Sequence, residues 1–238
     1  MLTRILFNNS LSLGQKILYF LISAGVIMIS LTVHEYAHGY AAYKLGDSTA
    51  KADGRLSLNP LRHLDPFGAL MMLLIGFGYA KPVPVVTRNF RKPRRDFAIV
   101  SFCGPLSNFV LAFVSAFFFV LLYKVCPYEF LAGNIGGAIL TIFYYMILMN
   151  LGLGLFNLIP LPPLDGSNIV MCMLPPNLAV RYAKIRNYAQ YILLGIILLS
   201  WLPGSAGKIF DYIFFPITWL RDVIYDGFTG FWIMVFGL

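Results

Sequence analysis

The chain has 238 residues, of which 59% are hydrophobic and only 12% are charged, and its mean hydropathy is +0.76. This composition excludes an ordinary soluble domain and indicates an integral membrane protein. The net charge of +8 does not indicate nucleic-acid binding, because the basic residues concentrate in one loop beside apolar segments, as the positive-inside rule describes. We therefore expect a lipid bilayer, and no nucleic acid, as a partner.

Residues 1–16 mix apolar and polar side chains and predict an amphipathic segment on the membrane surface. The apolar segment that follows, residues 17–45, is long enough to cross a bilayer. It contains the sequence His34-Glu35-Tyr36-Ala37-His38, in which the two histidines are four residues apart. Residues at this spacing share one face of a helix, so both imidazoles can bind one metal ion.

A catalytic zinc ion keeps one position open for water and lowers the pKa of that water to roughly 7. A carboxylate beside the ion can accept the proton of the water and later pass it to the leaving amine. The pattern therefore predicts that His34 and His38 are metal ligands and that Glu35 is the catalytic base. The alternative is that these are ordinary helix residues, but three such side chains are costly in a helix made for lipid.

The next segments predict a small membrane-associated β element. Residues 55–58 alternate with the period of a half-exposed strand, and residues 80–86 carry two prolines that favour extended backbone at a sheet edge. Between them, residues 67–79 are apolar but too short for a span, which predicts a re-entrant or interfacial segment.

Two further spans and a basic loop complete the core. The loop carries five basic side chains against one acidic one, which predicts that it is cytoplasmic; they are Arg88, Arg91, Lys92, Arg94 and Arg95, with Asp96. Residues 98–123 and 133–158 follow as a hairpin of two spans. Residues 180–238 predict C-terminal helices, with a fourth span at 188–202 and one or two apolar stretches after it.

Two histidines leave a catalytic zinc site one ligand short. If the basic loop is cytoplasmic, the first and third spans both end on that side, so Asp165 can meet the histidines near one leaflet. Three prolines just before Asp165 force an extended backbone path. Irregular backbone within the depth of the membrane is tolerated where it is buried in protein or lines a wet cavity. The alternative is a helix-ending turn with Asp165 in water.

These segments predict an all-α polytopic membrane protein, formed by residues 1–238 as one domain. Its catalytic core, residues 17–171, has three helices with the β element between the first two, and residues 180–238 add the C-terminal helices.

The motif from His34 to His38, together with Asn157-Leu158-Ile159-Pro160-Leu161-Pro162-Pro163-Leu164-Asp165-Gly166, resembles the paired signature of the site-2 protease family of intramembrane zinc metalloproteases. The sequence Gly104-Pro105-Leu106-Ser107-Asn108 and the stretches 54–60 and 81–85 also resemble that family. The likeness covers about residues 17–171 and fits the small prokaryotic branch, because the chain has no region long enough for an inserted PDZ domain.

The resemblance implies that His34, His38 and Asp165 bind one Zn²⁺ ion and that Glu35 is the base. It also implies that Asn157 holds the substrate backbone or the tetrahedral oxyanion; the alternative is an asparagine that hydrogen-bonds a neighbouring helix. Asn108 is equally well explained by helix packing beside Gly104.

The implied function is an intramembrane endopeptidase that acts near the cytoplasmic leaflet of a prokaryotic cell membrane. Its substrate would be a transmembrane or membrane-associated protein, such as an anti-sigma factor, a membrane-bound precursor or a signal-peptide remnant. Substrate choice would rest on the membrane part or on a regulatory membrane partner. We also predict that the edge of the β element, at Val83 and Val85, receives the unwound substrate by strand addition.

Two alternatives differ in class. One is a metallopeptidase for soluble substrates with a membrane-anchored active site. The other is a non-proteolytic metal-binding adaptor or transporter, against which Glu35 argues, because a site built to release metal has no evident need of a proton acceptor.

Overall fold

The computed structural model describes residues 12–63, 65–68, 81–199 and 205–238. Within these ranges residues 66–68 are helical, and the chain also forms eight α-helices and two short 3₁₀ turns with assigned bounds. The helices are α1 (Leu13–Lys44), α2 (Thr49–Ala52), α3 (Pro93–Val125), α4 (Tyr128–Ala132), α5 (Asn134–Asn157), α6 (Asp165–Met173), α7 (Pro176–Leu199) and α8 (Ser205–Phe236). The turns are Pro60–Arg62 and Thr87–Asn89.

Three of the described helices, α1, α3 and α5, are long and apolar enough to cross a membrane. They correspond to the three predicted spans, so the helical, membrane-embedded architecture is confirmed. Helix α1 begins with a capping box, in which Ser12 and Gln15 satisfy each other's backbone amides. The hairpin of α3 and α5 is joined by the single turn of helix α4.

Helix α3 is the central helix, packed against α1, α5, α6 and α8. Its fully buried Ala112 and Ala116 face Ile147 and Leu151 of α5. Small side chains at these positions let the two backbones approach closely, which is how membrane helices gain packing energy in the absence of a hydrophobic force between them. Helix α8 covers this contact with aromatic side chains, and Trp232 donates a hydrogen bond to the carbonyl of Phe113 at 3.2 Å.

The predicted β element is wrong for the described residues, since neither segment 55–58 nor segment 83–86 forms a strand. The physical reason is the fate of the amide donors. Pro82 and Pro84 have no amide donors. The amides of Val83 and Val86 donate to side-chain carboxylates instead of to a neighbouring strand. The two segments are linked by the guanidinium of Arg55, which donates to backbone carbonyls on both sides.

The described residues leave several other predictions untested in whole or in part. The amphipathic segment falls mostly on residues 1–11, outside the described residues, and residues 13–16 form the first turn of α1. The re-entrant segment at 67–79 lies almost entirely outside them. The fourth span falls largely on α7, and its crossing of the membrane stays a prediction, as does the single-domain organisation.

Asp47 fixes the segment before α3 to the end of α1. Its fully buried carboxylate accepts hydrogen bonds from the amide of Val86 at 2.7 Å, from Nδ2 of Asn89 at 2.8 Å, and from the hydroxyl and amide of Thr49. Burial alone would raise the pKa of Asp47, but these hydrogen bonds outweigh it and hold the pKa below its ordinary value. The ionised form is thus part of the fold.

We expect Asp47→Asn to lower the free energy of unfolding by about 1–3 kcal/mol at neutral pH, because an amide nitrogen cannot accept the bonds that the second carboxylate oxygen accepts. Because the folded pKa is depressed, this stabilisation is present at neutral pH and is lost as the pH falls below about 4. Thermal unfolding in detergent at neutral and acidic pH measures both effects.

The control is Asp53→Asn, which removes an equal charge from an exposed position in the same loop. Equal melting temperatures for the two variants at neutral pH would contradict the role of Asp47.

Candidate metal centre

His34 and His38 lie one turn apart on the buried face of α1. Their Nε2 atoms are 3.0 Å apart, and the two rings meet nearly at right angles, at 85°. Both side chains point toward α3, in the middle of the core. Helical spacing alone therefore brings two imidazole nitrogens to one point.

Asp165 reaches this point because the chain turns back after α5. The turn is residues 158–164, which contain three prolines, and Asp165 is the first residue of α6. Gly166 is needed for the turn, since a Cβ there would lie 2.2 Å from the carbonyl oxygen of Leu158. The carboxylate Oδ2 of Asp165 lies 3.2 Å from Nε2 of His34 and 3.3 Å from Nε2 of His38.

A buried hydrogen-bond network joins the three spanning helices behind the histidines. Nδ2 of Asn150 donates to the carbonyl of Met146 and to the hydroxyl of Ser30, so its Oδ1 faces and accepts from Nδ2 of Asn108 at 2.8 Å. The hydroxyl of Ser30 donates in turn to the carbonyl of Val26. Asn108 and Asn150 are fully buried, and the network satisfies polar groups that lipid cannot.

The hydrogen-bond acceptors at Nδ1 fix the tautomer of both histidines. Because Nδ2 of Asn108 is turned to Asn150, its Oδ1 faces Nδ1 of His34 at 2.7 Å and accepts a hydrogen bond from it. Nδ1 of His38 faces the carbonyl of Val100 at 2.7 Å, which can only accept. In a neutral imidazole with its proton on Nδ1, Nε2 carries a lone pair. Both Nε2 atoms are therefore presented as ligands.

The three atoms that meet at this point suit a cation. Oδ2 of Asp165 is buried and has no hydrogen-bond partner, although two imidazole nitrogens lie within 3.3 Å. Three lone-pair atoms at such distances repel one another unless a positive charge lies among them. Two nitrogens and one carboxylate oxygen from His34, His38 and Asp165 are a typical zinc ligand set, and one that leaves a position open.

Gly104 makes room for the histidines on the face of α3. A Cβ at this position would lie 2.3 Å from Nε2 of His38 and 2.7 Å from Cε1 of His34. No other residue type could stand here without moving the imidazoles. Neither this steric role nor the part played by Asn150 was predicted from the sequence, although an asparagine in the middle of an apolar span is itself a signal of a buried partner.

Glu35 lies beside the two histidines and is half-buried. Its Oε2 accepts a hydrogen bond from the amide of Val83 at 2.9 Å, and Oε1 has no partner among the described residues. The side chain of Val83 packs onto Gly39, where a Cβ would be 3.2 Å from Val83 Cγ1. The segment before α3 is thus held directly against the residue predicted to be the base.

The remaining predicted site residues lie at the edges of this centre. Asn157 is the last residue of α5, and one Nδ2 proton donates to the carbonyl of Leu153 at 3.0 Å. Val85 is half-buried against the cluster of Ala42, Phe90 and Val100, on the same segment as Val83. The roles of these residues stay predictions.

A family model described as Peptidase family M50 matches residues 22–200. The chain belongs to this family. It is 42% identical over 202 residues to YwhC of Bacillus subtilis, which carries the name "Putative zinc metalloprotease", and the match covers 80% of this chain and 91% of YwhC. Rip2 of Mycolicibacterium smegmatis carries the same name and is 25% identical over 224 residues, which are 90% of this chain and 81% of Rip2.

"Zinc metalloprotease MJ0392" of Methanocaldococcus jannaschii is 27% identical over 164 residues, which are 69% of this chain and 38% of that protein. No solved structure matches the chain significantly. Membership of family M50, the names of these relatives and the three apolar helices identify the protein as an integral membrane zinc metalloprotease. The resemblance to site-2 proteases is confirmed, and zinc is the cofactor.

We expect Gly104→Ala to lower zinc affinity by roughly 10- to 100-fold, because the added methyl group displaces both imidazoles from the point where they meet Asp165. Zinc content of the purified protein, measured by mass spectrometry of the metal after dialysis, tests this.

Gly152→Ala is the matched control, since a Cβ at position 152 meets nothing within 4 Å. Alanine is the better helix former by about 1 kcal/mol, so a general loss of helix stability is not expected from either change. Full zinc content in Gly104→Ala would show that the close approach is not required.

Proposed function

We propose that the protein is an intramembrane zinc endopeptidase of the site-2 protease type. It hydrolyses a peptide bond in or near a transmembrane segment of a membrane protein, as in regulated intramembrane proteolysis. The observation that carries the proposal is the meeting of Nε2 of His34, Nε2 of His38 and the partnerless Oδ2 of Asp165 among membrane-spanning helices, with a carboxylate beside them.

In this proposal His34, His38 and Asp165 hold the zinc ion, with Asn108 and the carbonyl of Val100 orienting the two rings. Zinc, when bound, supplies a Lewis acid that polarises the scissile carbonyl and makes water a stronger acid. Glu35 accepts the proton of the attacking water on Oε1 and later gives it to the leaving amine. Its other oxygen stays with the Val83 amide, which fixes the direction of the carboxylate.

Asn157 stabilises the negative charge that develops on the carbonyl oxygen. One of its two Nδ2 protons is used by the carbonyl of Leu153, and the second is available to an oxyanion or to the substrate backbone. Its position at the end of α5, just before the turn that leads to Asp165, supports this role.

The substrate helix must open before cleavage, because its amides are already paired within the helix. We propose that residues 81–86 receive the opened strand at Val83 and Val85. Although they form no sheet, they run without helix beside Glu35, and the amide of Val85 has no partner among the described residues. A single extended segment can offer main-chain hydrogen bonds to a peptide in this way.

The charges of the chain support one side of the membrane for the active site. The basic residues 88–95 precede α3, and the metal centre lies where α1 ends, α3 begins and α5 ends. By the positive-inside rule, these charges support an active site toward the cytoplasmic side of a prokaryotic cell membrane.

We expect Glu35→Gln to keep its zinc and to lose cleavage by a factor of about 10² or more, since glutamine cannot accept the proton. Candidate single-span membrane substrates are co-reconstituted with each form, and cleavage and metal content are measured on the same samples. Glu129→Gln, which removes an exposed carboxylate from α4, is the control. Zinc-loaded wild type that cleaves nothing in a broad panel would favour a non-proteolytic adaptor.

We expect Val85→Pro to lower cleavage by about tenfold or more with zinc content unchanged, because proline removes the amide that pairs with the substrate. Val85→Ala separates the two contributions of this residue, since it shortens the side chain and keeps the amide. If alanine impairs cleavage as much as proline does, packing rather than strand pairing explains the effect.

A further inference from the structure

A groove of about 780 Å³ lies between the first turns of α3 and the end of α6. This volume is in the range of small-molecule sites, about 300–1,000 Å³. One wall is a stripe of α3 with Arg95 in the first turn, Ile99 one turn further and Phe102 after that. Residues at these spacings share one face of the helix. The opposite wall includes Met173 and Leu174.

The groove changes character along its length. Its outer end holds two guanidinium groups, those of Arg94 and Arg95, and its inner part is apolar. Phe102 is 44% exposed and belongs to α3, a helix apolar enough to span the membrane. Met173, the last residue of α6, is 78% exposed. A cationic mouth that leads onto an apolar stripe matches a molecule with an anionic head and a hydrocarbon tail.

The positive charge at the mouth is compensated only in part, by the single carboxylate of Asp96. Arg94 donates to the carbonyl of Leu174, and Nε of Arg95 lies 3.2 Å from Oδ1 of Asp96. A guanidinium has five N–H donors, so both arginines keep donors for a further acceptor. Asp96 is itself buried and engaged with the amide of Lys92, and the other basic residues of this loop add to the field.

We propose that this groove binds an anionic phospholipid. The phosphate lies against Arg94 and Arg95, and one acyl chain runs along Ile99 and Phe102. A zwitterionic lipid carries no net charge and gains little from the arginines, whereas an anionic head is attracted by each basic residue near the surface. The proposal does not depend on proteolysis, since it concerns the C-terminal end of α6, two turns away from Asp165.

The test places a tryptophan in the groove. The full chain with Phe102→Trp is reconstituted in phosphatidylcholine vesicles that contain a small fraction of brominated phosphatidylglycerol or, in parallel, of brominated phosphatidylcholine. Bromine quenches tryptophan on contact, and the parent chain, with its three native tryptophans, gives the background. We expect quenching by brominated phosphatidylglycerol to reach half of its maximum at a lipid fraction about fivefold lower than quenching by brominated phosphatidylcholine.

Two further changes are made in the Phe102→Trp chain. Arg95→Gln should abolish most of the preference, whereas Arg91→Gln, which removes the same charge from an exposed position of the same loop outside the groove, should leave most of it. Equal quenching by both lipids would overturn the proposal, because the groove would then hold ordinary boundary lipid. Equal losses in the two arginine variants would overturn it too, and quenching by neither lipid would show that protein covers this face.

Discussion

The candidate metal centre depends on the hydrogen bonds made by one buried side-chain amide, that of Asn108. Asn108 is fully buried, and its donor and acceptor groups are divided between Asn150 and His34. That division puts a proton on Nδ1 of His34 and a lone pair on Nε2. Because Ser30, Asn108 and Asn150 lie on three different helices, the same hydrogen bonds set the packing of the core and the tautomer of His34.

The sequence predicts the parts that depend on local pattern. Hydropathy locates α1, α3 and α5, and helical spacing joins the two histidines. Asp165 could be added from the order of the spans, because a hairpin returns the chain to the same leaflet. The family resemblance then supplies the zinc and the reaction class, and the relatives agree with it.

The remaining features depend on tertiary contacts that no local pattern encodes. Segment 55–58 has the period of a strand and segment 80–86 carries prolines that favour extended backbone. The carboxylates of Glu35 and Asp47, however, take the amides of Val83 and Val86 that a sheet would need. Asn150 lies in the middle of an apolar helix, and its side-chain partners lie 42 and 120 residues away in the chain. The space at Gly104 is defined only once the imidazoles of another helix are in place.

The bond between Val83 and Glu35 has a consequence for engineering this protein. The side chain of Val83 packs against Gly39 of α1, one turn from Glu35. This packing also sets the position of the Val83 amide, which donates to the Glu35 carboxylate. A replacement at position 83 chosen to alter the proposed peptide contact would shift the carboxylate of Glu35, the proposed base, as well. Libraries built there would return variants in which KM and kcat change together, and selectivity would have to be sought further along the segment.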